Sequence, residues 1–232
     1  MKLIPVIDLM AGHVVRARHG LRSQYRPIES KLGRGSRAED IVAALLDLYP
    51  FDTLYIADLD AVEQTGNHFS VIEKLAALFP MVEFWVDSGI REAQDLERWR
   101  KPRFRPVIGS ECLADCSLLE RQVILSLDFD GARLRGPAPL FSSSAFSPQH
   151  VIIMSLKRVG SELGPDFERL ESLKTLAPEK NLYCAGGVRN AQDLYDLKKM
   201  GASGVLLASA LHDETLGAAD LRSASSVQKS QP

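Results

Sequence analysis

The feature that most constrains this chain is a strand–turn–helix pattern that occurs twice. Tyr183-Cys-Ala-Gly-Gly-Val-Arg189 is a short apolar strand running into two glycines, and Asn190-Ala-Gln-Asp-Leu194 opens a helical period that stops at Gly201. Phe84-Trp-Val-Asp-Ser-Gly-Ile-Arg91 leads in the same way into Glu92-Ala-Gln-Asp-Leu96. Gly89 aligns with Gly187, 98 residues on, and the next strands align as well, Val107-Ile-Gly-Ser110 with Leu207-Ala-Ser209. The first strands also pair: Leu3-Ile-Pro-Val-Ile-Asp8 and Val123-Ile-Leu-Ser-Leu-Asp128 are apolar runs that each end in one acid. Strand, tight turn, helix, strand is the unit of a parallel α/β fold. Two four-strand halves related by duplication predict a (β/α)8 barrel.

At 232 residues the chain suits one such barrel, expected over 1–216, with a short helical end and a disordered tail over 217–232. A net charge of −2 gives no bulk attraction to nucleic acid or to an anionic membrane. No apolar run is long enough to span a bilayer, and the N-terminus enters a strand at once. Cys112, Cys116 and Cys184 read as reduced thiols of a cytoplasmic protein, the first two on one helix face. His13, His19, His68, His150 and His212 lack metal-ligand spacing, so they read as solvent or structural residues and no metal is expected.

Along the chain, Ser36-Arg-Ala-Glu39 reads as a capping box before the first helix, and the fourth helix is expected over Leu113–Arg121. Residues 20–35 form a long loop in a basic stretch (Arg18, Arg22, Arg26, Lys31, Arg34), expected to rise over the barrel mouth where it can meet an anion. The second half lacks the spacing of the first. Asp58 follows Asp8 by 50 residues, whereas the strand Val151–Ser155 ends only 27 after Asp128. The intervening Gly131–Pro148 is rich in Pro, Ser and Gly, so the fifth helix is expected to be missing or degenerate. The bared face would be covered by Leu140, Phe141 and Phe146 or by a second copy of the chain.

The candidate chemistry sits at the strand ends. Strands one and five of an eight-strand barrel lie opposite each other, so Asp8 and Asp128 should face across the mouth, where such barrels place active sites. Opposed acids suit proton abstraction at a carbon with proton donation to a nearby heteroatom. The competing reading makes each a turn cap or a partner of Arg16 or Arg158. Asp58 is either a further site acid or a capping residue. Two phosphate cradles are expected on opposite sides, Ser88-Gly89 with Gly109-Ser110 and Gly186-Gly187 with Ala208-Ser209, because glycine turns can aim backbone N–H groups at an anion. A substrate phosphorylated at both ends fits that layout.

Ile-Pro-Val-Ile-Asp8-Leu, Gly12-His-Val-Val-Arg16, Val107-Ile-Gly-Ser110, Leu127-Asp128 and Ala185-Gly-Gly-Val-Arg189 resemble the histidine-biosynthesis barrels over roughly 1–130 and 150–216. Within them the chain is nearer the phosphoribosylformimino-aminoimidazole-carboxamide ribotide isomerases than the cyclase subunit of imidazole glycerol phosphate synthase, Val-Val-Arg16 being the isomerase-like feature. The resemblance implies an Amadori rearrangement of an aminoaldose to an aminoketose without cofactor. By it Asp8 takes the proton from ribose C2 and Asp128 protonates the ring oxygen, an assignment that could be reversed. It also makes Arg16 and Ser155 substrate contacts. Divergent members of this kind are associated with methanopterin-type cofactor biosynthesis, and a non-catalytic phospholigand-binding protein is the alternative of another class.

Several residues depart from the family pattern. Asp87-Ser88-Gly89 stands where three glycines are usual, and an Asp facing a phosphate would repel it by a few kcal/mol at low effective dielectric. Met154-Ser155 replaces a Thr-Asp pair, Arg158-Val-Gly-Ser161 replaces Arg-Asp-Gly-Thr, and Ala208-Ser209 replaces Gly-Arg. No Trp lies in 129–150 to stack on a base.

Overall fold

The structure is a computed structural model describing residues 1–33, 35–119, 122–138, 140 and 148–226. Eight parallel strands form the barrel: β1 (Lys2–Met10), β4 (Thr53–Asp58), β5 (Glu83–Asp87), β6 (Phe104–Gly109), β7 (Ile124–Asp130), β9 (His150–Ser155), β10 (Asn181–Ala185) and β11 (Gly204–Leu207). The cylinder closes where β11 pairs with β1, from Lys2 opposite Gly204 to Pro5 opposite Leu207. β1 and β7 are four strands apart around this ring. Each carries an antiparallel flap at its carboxyl end, β2 (His13–Arg16) on β1 and β8 (Arg133–Arg135) on β7, and β3 (Arg26–Pro27) extends the first flap.

Strand alternation divides the apolar residues into two sets. Ile4, Tyr55, Trp85, Val107, Ile124, Ile152, Tyr183 and Leu206 fill the barrel, while Leu3, Ile7, Leu54, Ile56, Phe84 and Cys184 point out to the helices. The outer layer holds α1 (Ala38–Leu48), α2 (Leu59–Val62), α3 (Phe69–Leu78), α4 (Ala93–Glu97), α5 (Phe167–Leu176), α6 (Ala191–Lys199), α7 (Ser209–His212) and α8 (Ala218–Ser225). α1 buries Ala38, Ile41, Val42 and Leu45, the i, i+3, i+4, i+7 stripe of a helix lying on a sheet.

The two glycine turns carry matching bonds. The Arg91 N–H donates to Asp95 Oδ2 at 3.0 Å, and the Arg189 N–H to Asp193 Oδ2 at 2.8 Å. Asn190 caps α6, its side chain accepting from the Asp193 N–H.

Three expectations change, and a fourth falls outside the described residues. The capping box at Ser36 and Glu39 does not form, because Ser36 Oγ bonds His13 Nδ1 at 3.0 Å and Glu39 pairs with Lys74 at 2.6 Å. No fourth helix forms over 113–119; a single 3-10 turn, Ser110–Cys112, precedes irregular chain, so Cys112 and Cys116 share no helix face. Residues 120 and 121 lie outside the described residues. The tail is ordered further than its composition suggests: α8 buries Leu221 completely and Ala224 almost so, which moves the end of the packed chain from 216 to 226. A missing fifth helix, and a second copy covering its face, fall mainly on residues 139 and 141–147, outside the described residues. Leu140 beside them is buried in the outer core.

If α8 is part of the core, Leu221→Ala should lower the unfolding free energy by about 2–4 kcal/mol in a denaturant titration. A loss below about 0.5 kcal/mol, the size of a surface substitution, would mean that the helix does not dock.

Candidate active site

The strand ends enclose a cavity of about 160 Å³ at the carboxyl face of the barrel. Asp8, Asp87 and Asp128 line it from β1, β5 and β7, with Glu111 beyond β6. Met154, Ala185, Gly186, Gly187, Leu206, Ala208 and Ser209 line it from β9, β10 and β11. The mouth therefore has an acidic half and an uncharged half.

Of the expected site residues, the structure brings Asp8, Asp128, Gly186, Gly187, Ala208 and Ser209 around this one cavity. Asp8 and Asp128 stand on opposite strands, and neither pairs with Arg16 or Arg158. Asp128 is 5% exposed and its carboxylate accepts three hydrogen bonds, from Ser126 Oγ at 2.8 Å on Oδ1 and from the Glu111 N–H at 3.1 Å and Ser110 Oγ at 3.3 Å on Oδ2, while its own N–H donates to Ser110 Oγ at 2.9 Å. Of these the last is a backbone bond that fixes the strand end; three donors reach the carboxylate itself. Burial pushes the Asp128 carboxyl up to about 7, helped by the charges of Asp87 and Glu111 and opposed by the Ser126 hydroxyl and the Glu111 N–H. Burial likewise raises Asp8 to about 7, with the Arg22 cation opposing and Asp87 adding.

Asp87 was legible only as a departure, and it proves to be the third acid of the mouth. Its Oδ1 accepts the Gly89 N–H at 3.1 Å and its Oδ2 the Tyr55 hydroxyl at 3.2 Å. Burial raises it to about 6. Tyr55 is itself pushed well above its usual value by burial and by Asp87, Asp128 and Asp8, so it stays a donor. Gly109 lets two acids meet: a methyl group there would lie 3.1 Å from Asp128 Oδ2 and 3.5 Å from Asp87 Oδ2.

Three groups of the first expected cradle are committed elsewhere. Ser88 Oγ accepts from Trp99 Nε1 at 2.8 Å on the outer side of the barrel, Ser110 Oγ serves Asp128, and the Gly89 N–H serves Asp87. A Cβ on Gly89 would lie 2.6 Å from Val62 Cα, and Arg91 binds the Gly89 and Val62 carbonyls at 2.7 Å each. Ser88, Gly89, Gly109 and Ser110 thus build the wall behind the acids instead of facing the cavity. The second cradle is different. Gly186 and Gly187 have φ of +98° and +88°, and a Cβ on Gly187 would lie 2.2 Å from the Gly164 carbonyl oxygen, so only glycine lets the turn enter here.

Arg16 and Ser155 are turned to other tasks. Arg16 grips Asp213 through two bonds of 2.8 and 2.7 Å beside a small hollow next to the cavity, which it shares with Asp8, Ala208 and Ser209. Ser155 Oγ donates to Asp166 Oδ2 at 2.9 Å, bracing the cap of α5. Asp58 is fully buried and caps α2 while bonding His68 Nδ1 at 2.8 Å, the capping role. In the basic stretch Arg22 lines the cavity, but it is paired with Glu111 at 2.6 Å and Glu63 at 3.6 Å. Arg26 and Lys31 bind backbone carbonyls, and Arg34 lies outside the described residues. Sequence reasoning passed over Tyr55, Glu111 and Arg135. Glu111 directly follows Ser110 and was the one readable signal; Arg135 sits in a segment without periodicity.

The chain matches the histidine biosynthesis protein family over residues 2–126 and 144–217. It belongs to that family. An uncharacterized protein of Methanocaldococcus jannaschii is 30% identical over 223 residues, covering 93% of this chain and 95% of the relative. Two relatives are named 1-(5-phosphoribosyl)-5-((5-phosphoribosylamino)methylideneamino)imidazole-4-carboxamide isomerase. That of Nitrosopumilus maritimus is 28% identical over 238 residues, with 93% and 96% of the two chains covered. That of Thermus thermophilus is 26% identical over 233 residues, with 92% and 95% covered. The chain is therefore a distant homologue of these isomerases. Among the described residues no group of side chains suits a metal ion, and no helix is long and apolar enough to cross a membrane.

A carboxyl whose folded pKa is raised contributes most stability below its unfolded value and loses it as pH rises through the folded value. For Asp87 that window runs from 3.8 to about 6. Asp87→Asn should therefore be more stable than the parent at high pH by up to about 3 kcal/mol, the gain vanishing as pH falls through this window. Thermal melts across pH test this; a gap that does not change with pH would contradict the buried charge.

Proposed function

We propose that this protein is an acid–base isomerase that carries out an Amadori-type aldose-to-ketose rearrangement on a phosphorylated ribosyl substrate. The observation that carries the reading is the pair Asp8 and Asp128, set on opposite strands of one cavity and both raised toward neutrality. A pair poised there holds one proton to give and one place to take a proton. The phosphate is assigned to the Gly186–Gly187 and Ala208–Ser209 side, where the turn enters the cavity without an acid beside it. The names of the two isomerase relatives support the phosphoribosyl class.

In this scheme Asp128 gives a proton to the ring oxygen as the C1–O bond breaks and the nitrogen lone pair forms an iminium. Asp8 removes the C2 proton, and the released electron pair neutralises the iminium to give an enaminol, which tautomerises to the aminoketose. One proton is given and one taken, so the reaction needs no outside reductant or oxidant. The three donors on Asp128 also favour its ionised form, which supports the reverse assignment, Asp128 as base and Asp8 as acid. We read the two halves as duplicates of one ancestral half-barrel, supported by the paired acids, the paired flaps and the matching Arg91–Asp95 and Arg189–Asp193 bonds.

Turnover of an N-substituted 5-phosphoribosylamine that carries no second phosphate, the aminoaldose class in the relatives' names, is the direct test. Asp8→Asn and Asp128→Asn should each lower kcat by about 10²–10⁴-fold while ligand binding persists. Exchange of the C2 proton with solvent deuterium tells the roles apart, because it is lost in the variant lacking the base. Unchanged turnover in both variants would remove the acid–base reading, and binding without turnover in the parent would leave a phospholigand-binding protein.

A further inference from the structure

We propose that the cavity selects a phosphate monoester whose reacting end carries a basic nitrogen that is cationic in the site at the iminium stage, with Asp87 as the residue that selects it over a second phosphate. The inference rests on the isomerase reading of the same cavity and narrows its substrate. Two independent observations carry it. The first is the loss of one anion site: the Ser88 and Ser110 hydroxyls and the Gly89 N–H, expected to cradle a phosphate at the β5 and β6 ends, are bonded within the wall, and the space beside Gly89 is taken by Val62 and Arg91. The second is what faces the cavity instead. Among the described residues Asp8, Asp87, Asp128 and Glu111 line the cavity against only Arg22 and Arg135, and both arginines are already paired, Arg22 with Glu111 at 2.6 Å and Arg135 with Glu111 at 3.1 Å and Asp130 at 2.8 Å.

A dianionic phosphate brought to this half would meet Asp87 Oδ2 and Asp128 Oδ2, which converge above Gly109. A cationic nitrogen placed there would neutralise carboxylates that otherwise repel one another, and its N–H groups would donate to oxygens that have lone pairs to spare. The iminium nitrogen of the proposed rearrangement is a cation of this kind, formed on the carbon next to the one that loses its proton. The opposite half offers Met154, Ala185 and Leu206, with no charge to hold a nitrogen, and its glycine turn suits a single phosphate. Asp87 therefore acts on substrate choice through charge: it rejects one end group and attracts another, the repulsive and attractive elements that specificity requires.

Calorimetric binding to the full chain at about neutral pH tests this with three probes: glucosamine 6-phosphate, glucose 6-phosphate and fructose 1,6-bisphosphate. The amino sugar should bind about tenfold more tightly than the neutral one, and the bisphosphate most weakly. Asp87→Asn should bring the amino and neutral sugars within about twofold of each other and improve the bisphosphate, without weakening glucose 6-phosphate. A thermal melt establishes that the variant is folded. Equal binding of the two monophosphates by the parent, or tightest binding of the bisphosphate, would overturn the inference and leave the phosphosugar reading intact. Ser209→Asp, which puts a charge in the glycine cradle, should weaken all three probes. If none of the three binds the parent, or Ser209→Asp changes nothing, the phosphate-site reading itself fails.

Discussion

The pairing of β11 with β1 is the constraint on which the rest depends, because it turns a row of strands into a ring. Only closure sets Asp8 opposite Asp128 and places Asp87 between them, two strands from each. The seam is tight. A Cβ on Gly204 would lie 2.8 Å from the Lys2 carbonyl oxygen and 2.6 Å from the Tyr183 ring, so the last strand can enter beside the first because it begins with glycine. The ring is filled below the mouth by Tyr55, Trp85, Tyr183 and Leu206, so the carboxylates stand on an apolar floor. That floor is what raises their pKa values; in water the same three acids would be ionised at neutral pH.

The mouth then divides by strand. β1, β5 and β7 turn acids into the cavity near their carboxyl ends, whereas β9, β10 and β11 turn in Met154, Ala185 and Leu206. The flaps hold this division in place. Arg16 on β2 is locked to Asp213 after α7, and Arg135 on β8 is locked to Glu111 after β6, so each flap is pinned by an ion pair to a different part of the rim. Arg22 joins Glu63 and Glu111 across the opening. The cations of the rim are thus spent on holding loops, and the acidic half of the cavity keeps its negative field.

Much of this was legible in the sequence. Strand identity, the closed barrel and the opposed Asp8 and Asp128 follow from apolar runs ending in single acids, and Asn190 and the glycine turn of β10 follow from local rules that tertiary context did not override. What failed were signals that local rules cannot weigh. Ser36 and Glu39 make a capping box on paper, but His13 and Lys74 compete for them in space. The polar end of the chain gave no reason to expect Leu221 at zero exposure, since burial of one leucine in an eight-residue helix leaves little periodicity to read. Ser88 and Ser110 have the right chemistry for a phosphate, and only the fold shows that Trp99 and Asp128 have claimed their hydroxyls.

The central claim is that one glycine turn holds an anion while the facing turn has been given over to acids. The measurement that tests it most directly is a crystal structure of the protein with inorganic phosphate. The account predicts one phosphate against Gly187 and Ser209, and none against Gly89 and Ser110. Phosphate bound at Gly89 and Ser110, with Asp87 swung away from the cavity, would contradict it.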